Sequence, residues 1–224
     1  TLDTLWLMDL KEEFQRASAW VRDSLDFNRV KKQMSFFETN IRMMGGLLSA
    51  HDLSGDRMFL DKALDLARRM LPGFNTKSGI PHAQIKLSDS STADSWTKKN
   101  AVRVYMYTHT HTHTLTHEYK QHLLIFTTTQ QVLAEFGTLQ LEWRYLSEKT
   151  NDATYKQKVE RIYDKLGPAR LNGMWPTLAN RNTGRPSSNV YTMGALSDSF
   201  YEYLLKMWLQ GGKKETRWRN MYVV

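Results

Sequence analysis

Apolar residues along this chain fall into two kinds of run that alternate. In the first kind they are dense, as in DTLWLMDL, FFETNIRMMGGLLSA, VLAEFGTLQLEW and DSFYEYLLKMWL. In the second they recur every three or four residues between charges, as from Glu12 to Leu25, Arg57 to Leu71 and Ala153 to Leu166. The second pattern predicts helices with one wet face, and the first predicts helices walled in on most sides. Paired in order, they read as a helix pair over 3–25, then inner helices at 36–53, 132–149 and 193–209. Outer helices follow at 57–71 and 151–166, and a last outer helix opens after Gly211-Gly212. The punctuation agrees: Leu25-Asp26-Phe27-Asn28 breaks the first pair, and Ser54-Gly55-Asp56 and Asn151-Asp152 supply caps. Pro72-Gly73 and Gly167-Pro168 are stops. Asn75 to Pro81 and Leu171 to Pro186 are turn-rich connections, ending alike in Gly79-Ile80-Pro81 and Gly173-Met174-Trp175-Pro176. Repeated helical hairpins predict an all-α array of stacked pairs.

An acid opens each apolar helix: Asp3, Glu38, Glu135 and Asp198. If the array closes into a ring, the apolar helices form its inner wall and these acids gather at one mouth. Arg42 lies one helical turn after Glu38, on the same face. Alone, that pair is a surface ion pair worth a few tenths of a kcal/mol. Several carboxylates around one cavity are another matter, because buried charge is costly unless something uses it. The arrangement points to acid–base chemistry or a cation site.

Composition narrows this little. The chain has 224 residues, 41% of them hydrophobic and 24% charged, enough for one sizeable core. A net charge of +8 raises the question of nucleic acid, but the basic residues are spread over the outer helices and no nucleic-acid motif accompanies them. The charge reads as a solvated face, with no nucleic-acid partner. There is no cysteine, hence no disulfide framework or thiolate metal site. No apolar run approaches the ~20 residues that span a bilayer. The opening TLDTLWLMDL reads as mid-helix and GGKKETRWRNMYVV starts a helix and stops, so the sequence is expected to be part of a longer one.

Residues 96–131 depart from the pattern. Tyr107 to Thr116 reads YTHTHTHTLT, which as a strand would align His109, His111 and His113, with His117 nearby. Imidazoles so placed suit zinc or copper. Alternating Thr and His is also what an in-frame CA dinucleotide repeat encodes, and low complexity is compositional before it is functional. The segment is read as an atypical insert with the character of a translated intron.

The stretches SFFETNIRMMGGLLSAHDLSGD, VLAEFGTLQLEW and LSDSFYEYLLKMWLQGG resemble the class I α-1,2-mannosidases, glycoside hydrolase family 47, and DTLWLMDLKEEF, LPGFNTKSGIP and NTGR fit its Golgi-type members. The resemblance covers 1–95 and 132–222 and implies that 1–224 is an incomplete catalytic domain. Its fold would be a partial (α/α)7 barrel of about four helical hairpins. The family is inverting, and it binds calcium that contacts the sugar hydroxyls. It trims terminal α-1,2-linked mannose from high-mannose N-glycans in the Golgi and ER lumen, commonly from a membrane anchor upstream. By resemblance Glu38 corresponds to the general acid and Asp198 to a second catalytic carboxylate. Arg42, Glu135 and Glu202 line the sugar pocket. Inversion needs two carboxylates about 6.5–9.5 Å apart with a water between them. A working Glu38 would need burial or a neighbouring carboxylate such as Asp198 to keep its proton, which Arg42 would oppose.

The departures set further expectations. The family's calcium-binding Thr and a further catalytic Glu have no counterpart before Val224, so no metal ligand is assigned and this polypeptide by itself is expected to be inactive. Arg185-Pro186-Ser187-Ser188-Asn189 stands where the family carries a Trp-Gly-Gln-His-like run. The alternative is a non-catalytic, mannosidase-like glycan-binding protein of ER-associated degradation.

Overall fold

The structure, a computed structural model, describes residues 1–94, 107–110, 118–121, 129–166 and 171–223. Helices dominate and come as hairpins. The first pairs α1 (Leu2–Leu7) with α2 (Lys11–Asp23). The second runs through α3 (Phe36–Glu38), a π-helical stretch (Thr39–Met44) and α4 (Gly45–Ser54), then returns as α5 (Arg57–Met70). The third consists of α6 (Leu133–Phe136) and α7 (Gln140–Thr150), followed by α8 (Ala153–Leu166). The fourth is α9 (Asp198–Gln210) with α10 (Thr216–Tyr222). Inner helices pack in the order α1, α4, α7, α9, each against its own outer partner.

The turns form where local chemistry demands them. Gly55 takes φ 72° to end α4, and the Asp56 carboxylate then accepts from Met58 N at 2.9 Å to start α5. Asn151 takes φ 53° to end α7, and Asp152 accepts from Thr154 N at 2.9 Å. On α5 the buried set Phe59, Leu60, Ala63, Leu66, Ala67 and Met70 traces the helical period and faces the inner wall. Aromatic rings lock the layers together: Trp143 meets Phe74 edge-on at 4.8 Å and stacks with Phe36 at 6.5 Å, while Phe200 packs on Trp175 at 5.3 Å. Exposed apolar side chains concentrate on the first hairpin, at Leu7, Met8 and Trp20.

Short strands, absent from the sequence pattern, brace the connections. β1 (Met34–Ser35), β2 (Gln84–Lys86) and β3 (Ser91–Ala93) form an antiparallel sheet. β4 (Tyr107–Thr110) pairs with β5 (Glu118–Gln121), His109 opposite Tyr119. His111, His113 and His117, and most of the 96–131 insert, lie outside the described residues, as does the Gly167-Pro168 stop. β6 (Gln130–Val132) pairs with β7 (Leu178–Asn180), Val132 opposite Leu178.

Two helix boundaries differ from expectation. The stretch 132–149 is broken at 137–139, because Gly137 is pressed against the Phe200 ring and Gln140 turns its Oε1 back to Leu139 N at 2.9 Å. The fourth inner helix begins at Asp198, not Met193, since residues 193–197 form the turn that leads into it. Among the acids, Asp3 stands apart: α1 packs on α4, and Asp3 Oδ1 accepts from Thr4 N at 2.9 Å.

Candidate active site

Glu38 owes its position to a cap. Ser35 Oγ accepts from Glu38 N at 3.2 Å, fixing the first turn of the inner helix. The chain then widens into the π-helical stretch, a device that re-aims side chains and is frequent at functional sites. Arg42 Nε donates to the Glu38 carboxylate, so the pair anticipated from the i, i+4 spacing is formed. Both remain accessible, with side chains 46% exposed for Glu38 and 72% for Arg42.

Glu135 sits on the short α6, which packs directly against α3. It borders a notch with Phe36, Phe37, Pro81, His82 and Gln131. Gln131 is 3% exposed and its Nε2 has no partner. His82 is pinned from behind: Arg181 Nη1 lies 2.9 Å from its Nδ1 and also pairs with Asp94. Burial, and then the Arg181 charge, hold the His82 pKa below its ordinary value, so the ring is neutral at pH 7. Nδ1 also lies 2.8 Å from Asp94 Oδ1, so Arg181 and Asp94 both meet the same ring nitrogen.

Asp198 is the first residue of α9 and stays exposed, its Oδ1 accepting from Ser199 N at 2.9 Å. α9 packs against α6, and Thr138 Oγ1 donates to Ser199 Oγ at 2.9 Å. The segments carrying Glu38, Glu135 and Asp198 are thus neighbours in that order. Glu202, one turn beyond Asp198, pairs with Lys206 at 3.1 Å on the surface. Buried hydroxyls without partners flank the two catalytic candidates, Thr39 Oγ1 beside Glu38 and Ser197 Oγ beside Asp198.

The pattern-based reading missed Glu142. Its carboxyl is enclosed between inner helices, although part of the residue borders a groove lined by Gly45, Asp52 and Tyr145. The enclosure governs its acidity. Burial raises its pKa to about 7, against the opposing hydrogen bonds from Tyr203 and Asn40. The only sequence signal is its spacing, two helical turns after Glu135, and the break at Gly137 blurs even that.

Comparison with known proteins decides the relationship. The model of glycosyl hydrolase family 47 matches residues 1–224. The chain belongs to that family. It is 42% identical over 217 residues to a mannosyl-oligosaccharide 1,2-alpha-mannosidase of Arabidopsis thaliana, covering 95% of this chain and 33% of the relative. It is 40% identical over 222 residues to mannosyl-oligosaccharide 1,2-alpha-mannosidase IB of Homo sapiens, covering 99% and 30%. An endoplasmic reticulum mannosyl-oligosaccharide 1,2-alpha-mannosidase of Rattus norvegicus is 36% identical over 226 residues, covering 99% and 30%. The chain therefore spans about a third of the length of these curated relatives. The solved alpha-1,2-mannosidase from Trichoderma reesei superposes with a TM-score of 0.76 at 25% identity, covering 99% of this chain and 43% of that one. The family 47 hairpins are accordingly part of an (α/α)7 barrel, as their repetition and the resemblance predicted.

Proposed function

We propose that the full-length protein hydrolyses terminal α-1,2-linked mannose from high-mannose N-glycans with inversion at the anomeric carbon, this chain carrying part of its catalytic domain. The observation that carries this is the succession of Glu38, Glu135 and Asp198 at the starts of adjacent inner segments in a family 47 chain. Glu38 donates its proton to the glycosidic oxygen as the bond from that oxygen to C1 breaks. Asp198 is the second carboxylate of the pair, on the far side of a water that adds to C1 from the opposite face. Arg42, held on Glu38, orients that carboxyl and grips a sugar hydroxyl, while Glu135 and Glu202 accept from further hydroxyls. The partner is a high-mannose glycan on a glycoprotein, met in the ER or Golgi lumen by a form anchored upstream. Among the described residues no helix is long and apolar enough to cross a membrane.

Calcium would supply a positive centre for the sugar hydroxyls in this scheme. The residues at hand do not fit it: among the described residues no group of three or more His, Asp or Glu side chains is placed to hold a metal. The proton transfers belong to Glu38 and Asp198.

The test is incubation of the full-length protein with a high-mannose N-glycan, with the anomer of released mannose followed by proton NMR. β-Mannose appears first if the reading is right, and Glu38→Gln abolishes release while glycan binding persists. Glycan binding without release by the unsubstituted protein would instead identify a non-catalytic binder.

A further inference from the structure

One buried carboxyl joins the three segments that carry the acids of the mouth. Glu142 Oε2 accepts from Asn40 Nδ2 at 3.0 Å, and its Oε1 accepts from the Tyr203 hydroxyl at 2.9 Å. Asn40 stands two residues after Glu38, Tyr203 five after Asp198, and Glu142 itself seven after Glu135. Asn40 is fully buried, and its remaining polar atoms reach the same helix pair. Its Oδ1 accepts from Trp143 Nε1 at 2.8 Å, and its Nδ2 also approaches Thr138 O at 3.5 Å. Thr138 in turn donates to Ser199, next to Asp198.

We propose that Glu142 is a positioning residue: with Asn40 and Tyr203 it clasps the inner helices in one register and so sets the spacing of Glu38, Glu135 and Asp198. The inference rests on the functional reading above. Two donors arrive at the carboxyl from different helices, and its two oxygens take one each. Direct bonds between the exposed acids do not set the spacing, because Glu38 is held by Arg42 and Glu202 by Lys206, each on its own helix. The clasp residues Asn40, Tyr203 and Glu142 follow the three acids by two, five and seven positions along their segments. The clasp acts through the backbone turns that precede and follow it. Burial of an acid in that place also gives it a signature, a titration near pH 7, with Tyr203 and Lys206 acting on it from α9 and Asp52 and Tyr145 lining the same groove.

Alanine and glutamine separate positioning from bulk stability. Glu142→Ala frees both donors, and a misplacement of about 1 Å at a reacting carboxylate costs on the order of 100-fold in rate. The expected result is a kcat for mannose release at least about tenfold lower with KM little changed, measured in the full-length protein at a temperature where both variants are folded. Glu142→Gln keeps the shape, with the Tyr203 hydroxyl turned to accept. It restores kcat and removes any dependence of kcat on pH near 7. The second readout needs no substrate: the Trp143 indole N–H resonance, which reports on Asn40, titrates with a midpoint of about 7 in the unsubstituted protein and not in Glu142→Gln. An unchanged kcat in Glu142→Ala, or a Trp143 resonance flat from pH 5 to 9, overturns the proposal. If the unsubstituted protein releases no mannose, the functional reading fails and the positioning role with it. A Trp143 signal that still titrates then shows that the clasp itself is formed, so the two failures are told apart.

Discussion

Gly137 is where packing, helix boundary and site geometry meet, and Gly137→Ala tests all three. Its φ of −87° suits alanine, so the backbone raises no objection. Space does. A Cβ there would lie 2.5 Å from Phe200 Cδ2 and 2.7 Å from Leu133 O, about 1 Å inside ordinary contact with each. Neither neighbour yields easily: the carbonyl accepts from Gly137 N at 2.8 Å, and Phe200 is fully buried between Tyr163, Trp175 and Tyr201. Forcing a methyl into such a place costs typically 1–3 kcal/mol, and the rigid surroundings put this case near ~3 kcal/mol. For a domain of this size that is a fall in Tm of about 6–12 °C, read by thermal unfolding and checked by urea titration. The strain is relieved by moving Phe200, two residues from Asp198, so mannose release falls more steeply than the folded fraction. Gly46→Ala is the control. Nothing lies within 4 Å of its Cβ position inside α4, and it should gain about 0.5–1 kcal/mol from helix propensity. A Gly137→Ala protein melting within about 2 °C of the parent would refute the packing argument.

Other consequences are open to measurement. Arg144 is buried and holds both Glu160, at 2.8 Å, and Glu215 in place, so Arg144→Met should cost ~3 kcal/mol in urea unfolding by removing the guanidinium the two acids share and leaving them Lys156 and the Trp218 indole N–H; a loss below about 1 kcal/mol would contradict it. Asp56→Ala removes the cap of α5 and should cost ~1 kcal/mol, checked by the same titration. Glu142 binds a proton more tightly in the folded chain, at about 7 against an ordinary 4.5, so its contribution to stability is fully present below pH 4.5 and is lost as pH rises through 7. The loss amounts to about 3 kcal/mol, visible as a fall in urea midpoint from pH 5 to 8 that Glu142→Gln lacks; equal slopes in the two proteins would disprove it.

Much of this molecule is legible one helical turn at a time. The alternation of apolar and amphipathic runs, the Asp56 and Asp152 caps, the left-handed turns at Gly55 and Asn151 and the Glu38–Arg42 pair all depend on residues within four positions of each other, and the chain alone determined them. The acids at the helix starts were equally plain, and the family resemblance gave them roles. What only the tertiary structure decided lies across the fold. The Trp143–Asn40 bond spans 103 residues and the Tyr203–Glu142 bond 61, distances over which no local period carries information. The same holds for the break at Gly137, made by a ring from α9, and for Arg181 meeting His82 Nδ1 from 99 residues away. A glutamate on an apolar helix looks the same in sequence whether it faces solvent or two buried donors. Only the packing of neighbouring helices removes the water and so raises its pKa.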